Sequence, residues 1–146
     1  MNGSPAATFA AILDAVGAGL PLLLLDFAVC LLLLVAGVAI YIRVTPFHER
    51  ALIDQGNTAA GITLGGAVLA LAIPLAALLA TDGGLLDLLV WGIVALVFQL
   101  LTLAGVSMVL RNLKHMIESG NLAAAIALAA SQIAVALLTA AVFVPN

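Results

Sequence analysis

The sequence predicts an all-α polytopic membrane protein whose four transmembrane helices form two parallel helical hairpins. Three observations carry this. Apolar residues make up 66% of the 146-residue chain and charged residues only 8%, far below the roughly 25% typical of soluble domains. Four apolar runs each reach the length of about 20 residues that crosses a bilayer as a helix. An eight-residue motif recurs after 64 residues, once before the second run and once before the fourth.

Residues 1–19 form an N-terminal arm without the positive n-region of a secretory signal. Ser4 and Pro5 suit an N-cap and first helical position, and Phe9, Ile12, Leu13 and Val16 recur at helical spacing before Gly17, Gly19 and Pro21 interrupt the pattern. The expectation is a short helix lying in the membrane interface. The first hairpin, residues 20–80, holds the spans Leu20–Ile42 and Thr58–Ala80; the second, residues 81–146, holds Leu85–Leu110 and Leu122–Val144.

Charge sets the orientation. Arg43 and Arg50 lie between the first two spans, and Arg111 and Lys114 between the last two. The arm, the Thr81–Gly84 connection and the tail carry no Lys or Arg. This bias predicts cytoplasmic basic loops and outward termini, and it argues against the dual topology of small antiparallel exporters. Four basic against seven acidic residues, with no basic run, exclude nucleic acid as a partner.

The repeat superposes Ile53-Asp54-Gln55-Gly56-Asn57-Thr58-Ala59-Ala60 on Ile117-Glu118-Ser119-Gly120-Asn121-Leu122-Ala123-Ala124. Glycine past a helix end takes the left-handed C-cap conformation, and the asparagine after it can cap the next helix. Gly56-Asn57 and Gly120-Asn121 therefore read as tight corners. Helix N-termini there could also receive an anion or a partner, although Asp54 and Glu118 oppose an anion. Thr45 and Pro46 read as the cap and first residue of a short helix ending at Gly56.

Gly61-x-x-x-Gly65, matched by Ala125-x-x-x-Ala129, is the helix-packing signal, serving contact within the chain or with a second copy. Inside the spans no charged residue lies near a centre; Asp26 falls at the outer rim. Gln99 and Gln132 lie mid-span, with Thr102 and Thr139 on their respective faces. Two readings follow: a hydrogen bond between the amides that joins two helices, or a polar seam for a hydrated ion or small solute. Pro74 frees a backbone carbonyl near the outer end of its span. Cys30 reads as a small buried or lipid-facing hydrophobe. His48, Glu49, His115 and Glu118 match no metal-ligand spacing, and no nucleophile–base pair or cofactor fingerprint occurs, so neither catalysis nor a cofactor is expected.

Arg43-Val44-Thr45-Pro46-Phe47-His48-Glu49, Leu52-Ile53, Gly56-Asn57 with Ala59-Ala60, Leu64-Gly65-Gly66 and Pro74-Leu75 together form a specific set. With Leu86-Asp87, Trp91-Gly92, Gln99-Leu100 and the second Gly120-Asn121 corner, this set resembles the YjfL-like bacterial inner-membrane proteins, the family called domain of unknown function 350. The resemblance covers roughly residues 20–144. It departs at the tail, where Ala136-Leu137-Leu138-Thr139-Ala140-Ala141 replaces a Gly-Leu-Leu-Asn-Ala-Ala-like ending. It implies a four-span protein of the cytoplasmic membrane, associated with envelope-stress proteins of the phage-shock type and hence with a docked partner.

The expectation that results is a non-enzymatic, homo-oligomeric interaction protein in the lipid bilayer. Arg43, Thr45, Pro46, Glu49, Arg50, Arg111 and Lys114 would face a cytoplasmic protein partner. The alternative is a small channel lined by Gln99, Thr102, Gln132 and Thr139.

Overall fold

A computed structural model describes residues 5–81 and 83–144, and among them every regular element is helical. In chain order these are α1 (Pro5–Val44), α2 (Glu49–Asp54), α3 (Thr58–Leu79), α4 (Leu85–Val109), α5 (Leu113–Glu118) and α6 (Leu122–Phe143). α1, α3, α4 and α6 are long and apolar enough to cross a membrane. The pairs α2–α3 and α5–α6 have matching lengths of 6 and 22 residues. The four cations Arg43, Arg50, Arg111 and Lys114 fall at one end of the bundle, called the basic end below.

α1 differs from expectation. A separate N-terminal helix ending near Gly17 does not form; a single helix of 40 residues runs through Gly17, Gly19 and Pro21. One proline removes one N–H and crowds the carbonyl four residues back, and here that residue is Gly17, which has no side chain to add to the crowding. The proposed Ser4 cap lies outside the described residues. At 1.5 Å per residue α1 is about 60 Å long, about twice a hydrocarbon core. Every residue from Phe9 to Leu25 is exposed, and packing against the bundle begins near Asp26.

The bundle is built on α3 and α6, its most extensive helix pair. Their closest approach is at Gly66, where a Cβ would overlap the Cβ of Ala129 and sit 2.9 Å from its Cα. Ala125 and Ala129 are buried as the small-residue pattern suggested. Gly61 and Gly65, however, turn outward, and a Cβ on either meets nothing within 4 Å. Alanine and glycine are so frequent here that the period alone identified the helix but not the face.

Two apolar clusters fill the ends. At the basic end Tyr41, Phe47, Leu103, Leu113, Ile117 and Leu128 pack around the small residues of α3 and α6. At the opposite end Cys30, Leu75, Leu78 and Leu88 cluster, and the Trp91 and Phe143 rings meet with centroids 5.4 Å apart.

Gly66→Ala should lower stability by about 1–3 kcal/mol through overpacking, whereas Gly65→Ala should change it by less than about 0.5 kcal/mol. Thermal unfolding in detergent checks the pair; equal effects would contradict the close contact at Gly66.

Candidate functional site

The polar residues of the basic end are organised first by the two corners. Gly56 and Gly120 have φ of +80° and +79°, conformations that suit glycine because it has no Cβ. Each closes a Schellman motif: Gly56 N–H donates to Ile53 O and Asn57 N–H to Leu52 O, at 2.8 and 2.9 Å. Gly120 and Asn121 repeat this on Ile117 and Met116, at 2.9 and 2.8 Å. Asn57 Oδ1 then accepts from Ala60 N–H and Asn121 Oδ1 from Ala124 N–H, capping α3 and α6.

Asn57 also joins the two corners. Its Nδ2 donates to Ile117 O at 2.9 Å, which also accepts from Gly120 N–H, and to Glu118 O at 3.2 Å, at the end of α5. A shallow groove of about 430 Å³ lies between the corners, lined by Gln55, Asn57, Thr58, Glu118, Ser119 and Leu122 among others.

Beneath this surface the α1–α2 connection closes over buried polar groups. Thr45 is not the cap of α2, as its position before Pro46 suggested. Its hydroxyl donates 2.6 Å back to Tyr41 O and finishes α1, and α2 begins only at Glu49, after His48. The physical reason is Pro46, which cannot donate the next helical bond and disfavours helix at the residue before it. Thr45 and Glu49 are both buried, so neither can be part of a partner-facing surface as expected. Arg43, Pro46, Arg50, Arg111 and Lys114 are exposed. Burial pushes the Glu49 carboxyl above its ordinary range, while the neighbouring Thr45 hydroxyl and its own backbone N–H partly oppose the shift.

The two mid-span glutamines do not bond each other. Gln132, 0% exposed, donates from Nε2 to the hydroxyl of Tyr41, also 0% exposed, at 3.1 Å, tying α6 to α1. Gln99, 1% exposed, donates from Nε2 to Ala70 O at 3.3 Å, tying α4 to α3. Ala70 is four residues before Pro74, so its carbonyl has lost its helical N–H partner, and Gln99 supplies a replacement. Thr102 and Thr139 turn back to the carbonyls of Phe98 and Val135 in their own helices, each at 2.8 Å. The two glutamines thus fasten helices, the two threonines bond within their own, and the four do not form one connected polar line.

Tyr41 was not singled out by sequence, yet it touches Thr45 and Gln132. The signal was present: Tyr41, Thr45 and Glu49 are polar residues spaced by four where the first span ends. Asp26 is half-buried at the opposite rim, and Cys30 points its thiol at Leu75 O, 3.8 Å away. Among the described residues no three of His, Cys, Asp and Glu gather as metal ligands.

Four apolar spans, short polar connections and amides that fasten helices define a multi-pass helical protein of the inner membrane. The chain belongs to the family described as Domain of Unknown Function (DUF350), whose pattern matches residues 14–143. It is 35% identical over 102 residues to the UPF0719 inner membrane protein YjfL of Escherichia coli K12, covering 70% of this chain and 77% of the relative. The protein of the same name in Escherichia coli O157:H7 matches equally. No solved structure matches significantly.

The link between Pro74 and Gln99 can be measured by a double-mutant cycle with Gln99→Leu and Pro74→Ala. A coupling energy of about 0.6–2 kcal/mol is expected, because restoring the N–H at position 74 makes the amide dispensable. Additive effects in reversible unfolding would show that the two do not compensate.

Proposed function

We propose that this protein is a non-enzymatic interaction component of the bacterial cytoplasmic membrane, assembled as a homo-oligomer and engaging a cytoplasmic protein partner during envelope stress. One observation carries the reading: Arg43, Arg50, Arg111 and Lys114 are all exposed around two corners held rigidly together by Asn57. The mid-span amides are turned to helix fastening, whereas the basic end is an organised exposed polar surface. The Lys and Arg bias supports a cytoplasmic position for that end, with both termini outside. The partner surface on this reading comprises Arg43, Pro46 and Arg50 with Arg111 and Lys114, flanking the groove between the corners.

Self-association rests on the outward stripe of α3. Gly61 and Gly65 lie open, with exposed Leu69 and Ala76 continuing the face. Small residues let membrane helices approach closely, which is how such helices associate in lipid. The channel alternative lacks a path within one copy, since the Thr102 and Thr139 hydroxyls bond their own helices and the two amides serve different helix pairs.

Cross-linking in native membranes should give oligomers for the wild type and mostly monomers for Gly61→Ile with Gly65→Ile, at unchanged helicity. A monomeric wild type would remove the oligomer. Replacing Arg43, Arg50, Arg111 and Lys114 by Gln should lose most of the partner cross-linked in intact cells, with insertion intact; undiminished recovery would remove the basic end as the docking surface.

A further inference from the structure

Glu49 lies in the first turn of α2 with 0% exposure, and neither carboxylate oxygen meets a hydrogen-bond donor. Buried carboxylates are ordinarily paired or hydrogen-bonded, because the hydration lost by an ion must be replaced. The surroundings explain why no replacement exists. The Thr45 hydroxyl adjoins the carboxyl, but its one proton is held by Tyr41 O. Tyr41, facing Glu49 from α1, is bonded to Gln132 of α6.

No cation fills the gap. α2 packs on α3, and neither α3 nor α6 contains a titratable side chain. Arg43 of α1, His48 beside α2, and Arg50 and Asp54 of α2 are exposed. On α5, Lys114, His115 and Glu118 are exposed too. The ion pair found among the described residues joins Lys114 to Glu118 within α5, at 3.9 Å.

We propose that Glu49 is a proton-binding site, held as a neutral carboxylic acid while the α1–α2 connection is docked and releasing that connection when it ionises. The hydrogen-bond inventory supports this independently of any partner. A Thr hydroxyl that has given its proton away still has lone pairs, so a protonated Glu49 can donate to Thr45 Oγ1. A carboxylate can only accept, and the donors nearest it, the Thr45 hydroxyl and its own backbone N–H, make no hydrogen bond to either of its oxygens. Release would expose Phe47, buried to 1% in the basic-end cluster, and would move Pro46 and Arg50. The proposal does not depend on the interaction reading above.

The sign follows from burial. Solvated Glu49 in the released connection titrates in the ordinary carboxylate range, and docked Glu49 titrates higher. The docked form therefore binds the proton more tightly. Docking is at full strength below the ordinary range, weakens by about tenfold in its equilibrium for each pH unit between the ordinary and the raised value, and levels off above it.

The test is amide hydrogen exchange of the full-length protein in liposomes, following residues 45–56 from acid to alkaline pH after correction for intrinsic exchange. Wild-type protection should fall by about tenfold per pH unit between the ordinary carboxylate range and the raised value and then level off, and Glu49→Gln, neutral throughout, should keep its protection. Infrared difference spectra of the wild type alone should show a protonated-carboxyl carbonyl band that persists above the ordinary carboxylate range and disappears on further alkalinisation. This readout stands even where the variant fails to fold. Protection independent of pH in both proteins, or absence of the band above the ordinary carboxylate range, overturns the proposal. Protection that follows sodium concentration at fixed pH also overturns it, because Glu49 would then be a carboxylate binding a metal cation.

Discussion

The close contact of α3 with α6 at Gly66 and Ala129 is the constraint on which the rest of the bundle depends. α3 is the one helix that packs against each of the other five. In lipid, apolar side chains gain little by leaving one hydrocarbon environment for another, so association relies on close packing and on hydrogen bonds between helices. A glycine whose Cβ position is already filled by Ala129 brings the two backbones near enough for both contributions. α1 and α4 then take their places against this pair, and each is fastened by one amide.

Those amides follow a local logic. Pro74 leaves a carbonyl without its N–H in an environment where water cannot substitute. Gln99 on the facing helix supplies the missing donor. The positions 64 residues away from this pair hold Leu138 and Val35, neither of which creates or answers such a need. Each half of the compensation thus occurs where the other requires it, and the two halves lie in different hairpins. Gln132 does comparable work for α6 through Tyr41. A glutamine in a span is therefore better understood by asking which backbone or hydroxyl group lacks a partner than by assuming a path for solute.

What was legible in the sequence was local. Span lengths follow from apolar runs, and both corners follow from cap chemistry confined to a few residues, so Gly56-Asn57 and Gly120-Asn121 are found in the geometry their sequence implies. What escaped was decided at a distance. The small-residue period on α3 did not show that Gly66, one residue beyond Gly65, is the face turned to α6. The break at Gly17–Pro21 was overestimated because the same residues that end a soluble helix are tolerated in an apolar one. Glu49 looked like a loop carboxylate facing solvent; only the fold of Phe47 and Thr45 over the bundle puts it out of reach of water. Pro46 produced that outcome, by ending α1 at Val44 and making Thr45 a cap for the helix behind it.

The basic end then has a mechanical consequence. The N-terminus of α3 holds two elements at once: α2 packs on α3, and Asn57, immediately before the first residue of α3, holds the final carbonyls of α5. The segment that leaves α1 at Thr45 and buries Glu49 runs through α2 into the same corner at Gly56. Displacing α2 pulls on the Schellman turn that positions Asn57, and through Asn57 on α5 and the groove beside it. Arg50 travels with α2, and Lys114 with α5. On the proposal made for Glu49, its proton occupancy would reach the exposed cations around the corners through the side chain of Asn57, which bonds the end of α5.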